Sequence, residues 1–172
     1  MTQLQKEMTF IAEGRVSHVY SLTDRRVLKL LHSSVPKKKV EEEFELCRIV
    51  ADSGIRTPQA IELVEIDDRT GIIFEWAGSE DLLNAKLNNP LNIPSAGRLM
   101  AEAHLGVISR EAEKLPNIKD AMIRMMQELP EEAIQKSQYQ LFESYVDTLP
   151  DGANICHLDF HPGNIMLEGD DY

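Results

Sequence analysis

At 172 residues the chain is long enough to bury a core, as one domain or as two small lobes. Hydrophobic content of 42% and charged content of 27% are ordinary for a soluble globular protein, and a net charge of −11 argues against a nucleic-acid backbone or an anionic membrane surface as the main partner. The two cysteines, Cys47 and Cys156, both lie in apolar runs and read as small buried hydrophobes in a reducing compartment. Without a signal-peptide core or a stretch of membrane-spanning length, a cytoplasmic protein is expected.

Residues 8–11 and 16–22 carry a strand pattern, joined by Ala12-Glu-Gly-Arg-Val-Ser17 with its single Gly14. The turn Thr23-Asp-Arg-Arg26 leads into a third strand, Val27-Leu-Lys-Leu-Leu31, with Lys29 in its middle. Alternation alone would allow Lys29 to be an edge-strand lysine pointing at water.

Pro36 opens a helix that stops at Gly54. At about 100° per residue, Val40, Phe44, Cys47 and Ala51 form one stripe, and Glu43 falls on its edge. A carboxylate on the buried side of a helix needs a partner, and Lys29 on the preceding strand is the candidate; the alternative is that Glu43 borders a solvated face.

Residues 60–66 and 72–76 read as two more strands around a turn at 67–71. That makes a strand-rich unit over 1–76 with one inserted helix, a connector at 77–81, and a helical unit over 82–172. In the latter, helices are expected at 82–87, at 96–115 with Ser95 as cap, at 119–129 and from Pro130 to 149. Leu99, Met100, Ala103, Val107 and Ile108 would face inward, with His104 toward the same side as a core histidine. Ile134, Leu141, Phe142, Tyr145 and Val146 would make the apolar face of the last helix.

The densest chemistry lies in Ile155-Cys-His-Leu-Asp-Phe-His-Pro-Gly-Asn-Ile-Met-Leu167. His157, Asp159, His161 and Asn164 fall between two apolar runs, and Pro162-Gly163 forces a tight turn between them. Two readings of this loop stay open. On an extended strand, His157, Asp159 and His161 at i, i+2 and i+4 share a face, which suits a zinc or manganese hydrolase. That leaves Asn164 and the strand-rich half without a task. Phosphoryl transfer needs a base, a side-chain oxygen for Mg²⁺, a lysine on the phosphates and a covering loop. Asp159 and Asn164 across a tight turn, Lys29 held by Glu43, and Gly14 to Ser17 as backbone lid would supply those parts.

His157-Leu-Asp-Phe-His-Pro-Gly-Asn164 resembles the signature loop of the aminoglycoside phosphotransferase and choline kinase-like group, relatives of the protein kinases. Glu13-Gly-Arg-Val-Ser-His-Val-Tyr20, the strand lysine, the glutamate-bearing helix ending near Ser53-Gly-Ile-Arg-Thr-Pro58, and Phe74-Glu-Trp76 agree with it. The resemblance implies an α+β, two-lobed protein kinase-like fold: a sheet lobe over 1–76, a hinge over 77–81 and a mainly helical lobe from 82. It implies ATP and Mg²⁺ as cofactors and a small-molecule hydroxyl acceptor, with no nucleic-acid or membrane partner. Asp159 would be the base, Asn164 a Mg²⁺ ligand, and Lys29 with Glu43 the grip on the ATP phosphates. The adenine would meet the backbone at Glu75, Trp76 and Ala77, Gly14 and Ser17 would cover the phosphates, and His157 would brace the loop. His161 is common at its position in the group, without an assigned role. The group also places a second Mg²⁺-binding Asp on the strand after the loop, in the manner of the Asp of Asp-Phe-Gly. The sequence ends at Tyr172 with Asp170 and Asp171 in a turn, so neither is assigned, and the expectation is a C-terminally truncated chain of little activity. A pseudokinase-like nucleotide-binding module is the alternative within the same fold.

Overall fold

A computed structural model describes residues 3–169. Asp170 and Asp171 lie outside the described residues.

Alternating apolar and polar residues in the first half produce an antiparallel five-stranded sheet of order β1-β2-β3-β5-β4. Its strands are β1 (Thr9–Glu13), β2 (Ser17–Leu22), β3 (Arg26–Leu31), β4 (Ala60–Ile66) and β5 (Arg69–Glu75). The β2–β3 turn places both Asp24 and Arg25 at positive φ, 62° and 55°, the hand that matches the twist of a tight hairpin. The β4–β5 turn is shorter than the pattern suggested, since β5 starts at Arg69. A short helix α1 (Gln3–Glu7), not expected from the sequence, precedes β1, and Leu4 packs with Met8 on the cluster Leu22, Leu28, Leu30, Ile66 and Ile73.

The other face of the sheet is covered by α2 (Lys37–Asp52), which lies between β3 and β4 in sequence. Its first turn carries three lysines and no acid, against the helix dipole. Lys37–Glu41 and Lys38–Glu42 ion pairs one turn apart offset part of this. Val40 is fully buried and meets Leu31 and Ile72, with Phe44 and Leu63 packed beside them. Because β3 is the central strand, Lys29 is not an edge residue; its cross-strand neighbours are Val19 and Ile72.

Past Glu75 the chain becomes helical. The elements are α3 (Leu82–Lys86), α4 (Ile93–Ile108), α5 (Ile118–Gln127) and α6 (Lys136–Thr148). A short ladder joins β6 (Glu80–Asp81) to β7 (Met166–Leu167). The second core holds Leu82, Ala96, Ala103, Ile165 and Leu167, so the helical layer and the polar loop share one centre.

The helical half departs from its sequence pattern at several points. Helix α4 starts at Ile93, with Asn92 at its cap and Pro94 in the first turn, so Ser95 is inside it and donates its hydroxyl back to the Asn92 carbonyl. It ends at Ile108, not 115, because Glu111 bridges to Asn154 and draws the chain out of the helix. His104 is exposed, tilted against Phe160 with ring centroids 4.8 Å apart, and is not a core histidine. Ile108 is exposed as well. In α6 the buried side runs through Phe142 and Val146, and Leu141 and Tyr145 point outward.

Candidate active site

The polar loop is held at both ends by buried aliphatic side chains. Ile155, Ile165 and Leu167 are at most 6% exposed. Each such burial is worth about 1.5–3 kcal/mol, which fixes the ends far more firmly than the exposed middle. Backbone bonds add direction: Ile155 N–H donates to the Arg110 carbonyl at 2.9 Å, and Leu82 N–H and Ser79 N–H donate to Ile165 and Leu167 carbonyls at 2.8 and 3.1 Å. Gly78 makes the last of these approaches possible. A Cβ there would sit 2.4 Å from the Leu167 carbonyl oxygen.

Inside the loop, local hydrogen bonds set each functional side chain. Asp159 N–H donates to His157 Nδ1 at 3.3 Å, and the His157 ring stands edge-on to Phe160. His161 Nδ1 accepts from Gly163 N–H at 3.1 Å, so this histidine caps the short 3₁₀ segment Pro162–Asn164. Its ring lies so close that a Cβ on Gly163 would come within 2.9 Å of it. The Asn164 amide donates to the Asp159 main-chain carbonyl at 2.9 Å and to its carboxylate Oδ2 at 3.3 Å, while His161 Nε2 lies 3.8 Å from that same oxygen. Leu158, between His157 and Asp159, has φ of 67°. For a side chain branched at Cγ this left-handed backbone costs about 1–2 kcal/mol, strain of the kind concentrated at working loops.

Across from the loop, Lys29 Nζ donates to Glu43 Oε1 at 2.6 Å, both side chains about one-third exposed. The pair lies between β3 and α2, where helical periodicity put Glu43.

Between the sheet and the helical layer runs a cleft of about 1260 Å³. Glu43, Glu75, Trp76 and Ala77 line one side of it, and His157 and Asn164 are also among its walls. Lys29 and Asp159 are not among its lining residues, although the Lys29 partner Glu43 and the Asp159 neighbours Leu158 and Phe160 are; the Asp159 side chain is 80% exposed. Gly14 and Ser17 do not line it. They close a turn at the β1–β2 tip, with Gly14 N–H donating to the Ser17 carbonyl at 2.8 Å, and Ser17 is buried.

Several cleft residues were not anticipated. Cys47 lies one helical turn beyond Glu43, and that spacing was the available signal; burial, then the nearby Glu43 carboxylate, push its thiol above the ordinary range. Cys156 is exposed and lines the cleft, contrary to the buried role expected of it. Glu168 lines the cleft too and pairs with Arg25 of the β2–β3 turn, 143 positions away, for which no local sequence signal exists. Among the described residues, the donor atoms of His157, Asp159 and His161 do not converge as a metal trio. No helix among the described residues is long and apolar enough to cross a membrane.

Comparisons with known proteins give a family and one similar fold. A family model described as the phosphotransferase enzyme family matches residues 7–172. The crystal structure of an aminoglycoside-3'-phosphotransferase of type VIII superposes with a TM-score of 0.59 at 16% identity, over 94% of this chain and 67% of that one. A crystal structure of a kinase domain gives a TM-score of 0.44 at 14% identity, over 62% of this chain and 35% of that one. The chain therefore spans about two thirds of the phosphotransferase and about a third of the kinase domain. No curated protein sequence matches. The fold is the two-lobed, protein kinase-like α+β arrangement, with the five-stranded antiparallel sheet as its first lobe.

Proposed function

The chain belongs to the phosphotransferase enzyme family, and on that premise we propose that its cleft takes Mg·ATP and that the γ-phosphate passes to a hydroxyl of a small molecule. The division into a sheet lobe over 1–76, a hinge over 77–81 and a helical lobe from 82 belongs to the same proposal, and so does a cytoplasmic setting.

The observation that carries it is the Lys29–Glu43 pair at 2.6 Å. An ammonium fixed by a carboxylate beside a deep cleft is what gripping a polyphosphate requires, since a lysine free to swing would lose side-chain entropy on every binding event. The loop supports the same reading. Asn164 commits its amide N–H₂ to Asp159, which leaves Oδ1 for a cation. An amide oxygen beside a carboxylate is a hard donor set, and it fits Mg²⁺ better than the softer transition metals. When bound, Mg²⁺ supplies neutralisation of charge building on the transferring phosphate. Asp159 has Oδ2 held by Asn164, so Oδ1 is the atom to accept the proton of the attacking hydroxyl. Glu75, Trp76 and Ala77 line the cleft, and their backbone groups would meet the adenine; Gly14 to Ser17, outside the cleft walls, would have to fold over the phosphates when nucleotide binds. His157 and His161 act by shaping the loop.

The acceptor belongs to the range that includes aminoglycosides, choline and sugars, and the net charge of −11 suits a cationic one. The test is Mg·ATP binding by calorimetry together with γ-phosphate transfer to a panel of such acceptors. Lys29→Ala and Asn164→Ala are expected to weaken Mg·ATP binding. Asp159→Asn should keep binding and lower transfer by about 10²–10⁴-fold. Binding that is indifferent to Lys29→Ala would remove the basis of the reading.

A further inference from the structure

On the sheet face opposite Lys29, at the tip of the first hairpin, three side chains with metal-binding chemistry meet. Glu13 ends β1, His18 is its partner across the β1–β2 ladder, and His32 directly follows β3. A bulge between Phe10 and Ala12 shifts the register so that Glu13 and His18 stand opposite each other. One donor atom from each of the three lies within 4.8 Å of the others, and this is the sole such trio among the described residues. His18 Nε2 is 3.6 Å from Glu13 Oε1, and the two imidazole rings have centroids 5.0 Å apart.

A second observation points to a ligand. His32 Nε2 is buried and has no hydrogen-bond partner, the only side-chain nitrogen or oxygen so placed among the described residues. Proteins seldom leave a buried polar atom unmatched without an ion, a water or a function to account for it.

We infer that Glu13, His18 and His32 form a binding site for a zinc-class divalent cation, its fourth position left to water. Two imidazole nitrogens and one carboxylate oxygen select borderline metals such as zinc over the hard Mg²⁺ and Ca²⁺. Ligand atoms around one zinc stand about 3.3 Å apart, so the trio closes by side-chain rotation without moving strands. Arg69 is the competing charge. Its Nη2 sits 3.0 Å from His18 Nδ1 and also donates to the Leu30 carbonyl, while Nε donates to that of Leu31. Ligation through His18 Nε2 moves the ring proton to Nδ1, and Arg69 then keeps its two carbonyls and gives up the ring. The cation would tie together the ends of three strands around the turn that starts at Gly14, where His32 N–H already donates to the Val16 carbonyl at 2.9 Å.

The inference goes beyond the phosphotransferase reading and uses neither Lys29 nor Asp159, so either can fail alone. Zinc chloride is titrated into the whole chain against a chromogenic chelator, with wild type, Glu13→Gln, His32→Asn and His161→Asn compared. One equivalent of zinc is expected, with affinity falling at least about tenfold in the first two variants and unchanged in the third. A parallel measurement uses wild type alone: zinc should protect His18 and His32, and not His104 or His161, from diethyl pyrocarbonate, as read by mass spectrometry. Zinc should also raise the melting temperature of wild type. No saturable zinc binding, affinity lost in His161→Asn instead, or protection confined to His157 and His161 would each overturn the site.

Discussion

Asn164 binds Asp159 twice, through the main-chain carbonyl at 2.9 Å and the carboxylate at 3.3 Å, across the turn made by Pro162 and Gly163. Both partners are exposed, so these bonds add little to stability and much to orientation. Asn164→Ala should therefore shift the unfolding free energy by less than about 1 kcal/mol. The Mg²⁺ concentration needed to support ATP binding should rise by about tenfold or more, because a ligand and the brace on Asp159 are lost together. Melting curves and a Mg²⁺ titration of nucleotide binding give the two numbers. A large stability loss with an unchanged Mg²⁺ requirement would mean that Asn164 is only a structural turn residue.

The loop depends on glycine at a place remote in sequence. Gly78 has φ of 153°, and a Cβ would meet the Leu167 carbonyl oxygen at 2.4 Å, with the Leu167 carbonyl carbon and amide nitrogen next at 2.8 and 3.0 Å. Gly78→Ala should cost about 2–4 kcal/mol, the overpacking and backbone terms combined. Gly54, at φ of 79° with nothing nearby, is the control, and Gly54→Ala should cost about 1–2 kcal/mol from backbone strain alone. Urea midpoints measure the difference, and equal losses would show that β7 can retreat from the connector.

Much of this arrangement was legible in the sequence because its signals are local. The helical stripe through Val40, Phe44 and Cys47 put Glu43 on its edge with Lys29 as the candidate partner, and the strand pattern alone left Lys29 free to face water; the 2.6 Å contact decides for the pair. The apolar flanks of the loop, Ile155 and Ile165, announced its anchors. What escaped was set by contacts between distant segments. Helix α4 stops at Ile108 because Asn154 captures Glu111, and nothing within Ser109-Arg-Glu111 signals a helix end. His104 neighbours the buried Ala103 in sequence, yet no element covers it, and its ring leans on Phe160 of the loop. Arg25 and Glu168 pair across 143 positions, beyond the reach of any periodicity.

The two cysteines of the cleft should differ in reactivity. Cys47 is half-buried, and desolvation, reinforced by the Glu43 carboxylate, raises its thiol above the ordinary range. Less thiolate is present at neutral pH, so alkylation by iodoacetamide should be slow. Cys156 is exposed and should react first, as mapped by mass spectrometry at low reagent excess. The sign for stability follows from the raised value. Unfolding frees Cys47 to ionise at its ordinary value, so its contribution to stability is constant below that value and falls as pH rises through the window up to the folded one. Cys47→Ser should flatten this alkaline decline, and faster labelling of Cys47 than of Cys156 would contradict its burial.

The Lys29–Glu43 contact separates binding from stability most sharply. Both side chains are about one-third open to solvent, so the pair is screened and should contribute no more than about 1 kcal/mol to folding. A double-mutant cycle with Lys29→Met and Glu43→Gln measures that coupling by chemical denaturation. In the proposed site Glu43 never touches nucleotide and acts by holding Lys29, so Glu43→Gln should raise the Kd for Mg·ATP while leaving the protein folded. Glu43→Asp, which keeps the charge on a shorter arm, should recover part of the affinity. The diagnostic result is the cycle repeated on binding: once Lys29 is methionine, removing the Glu43 charge should have no further effect. Independent, additive losses at the two positions would show that the pair is a surface ion pair of the sheet and not the grip on the phosphates.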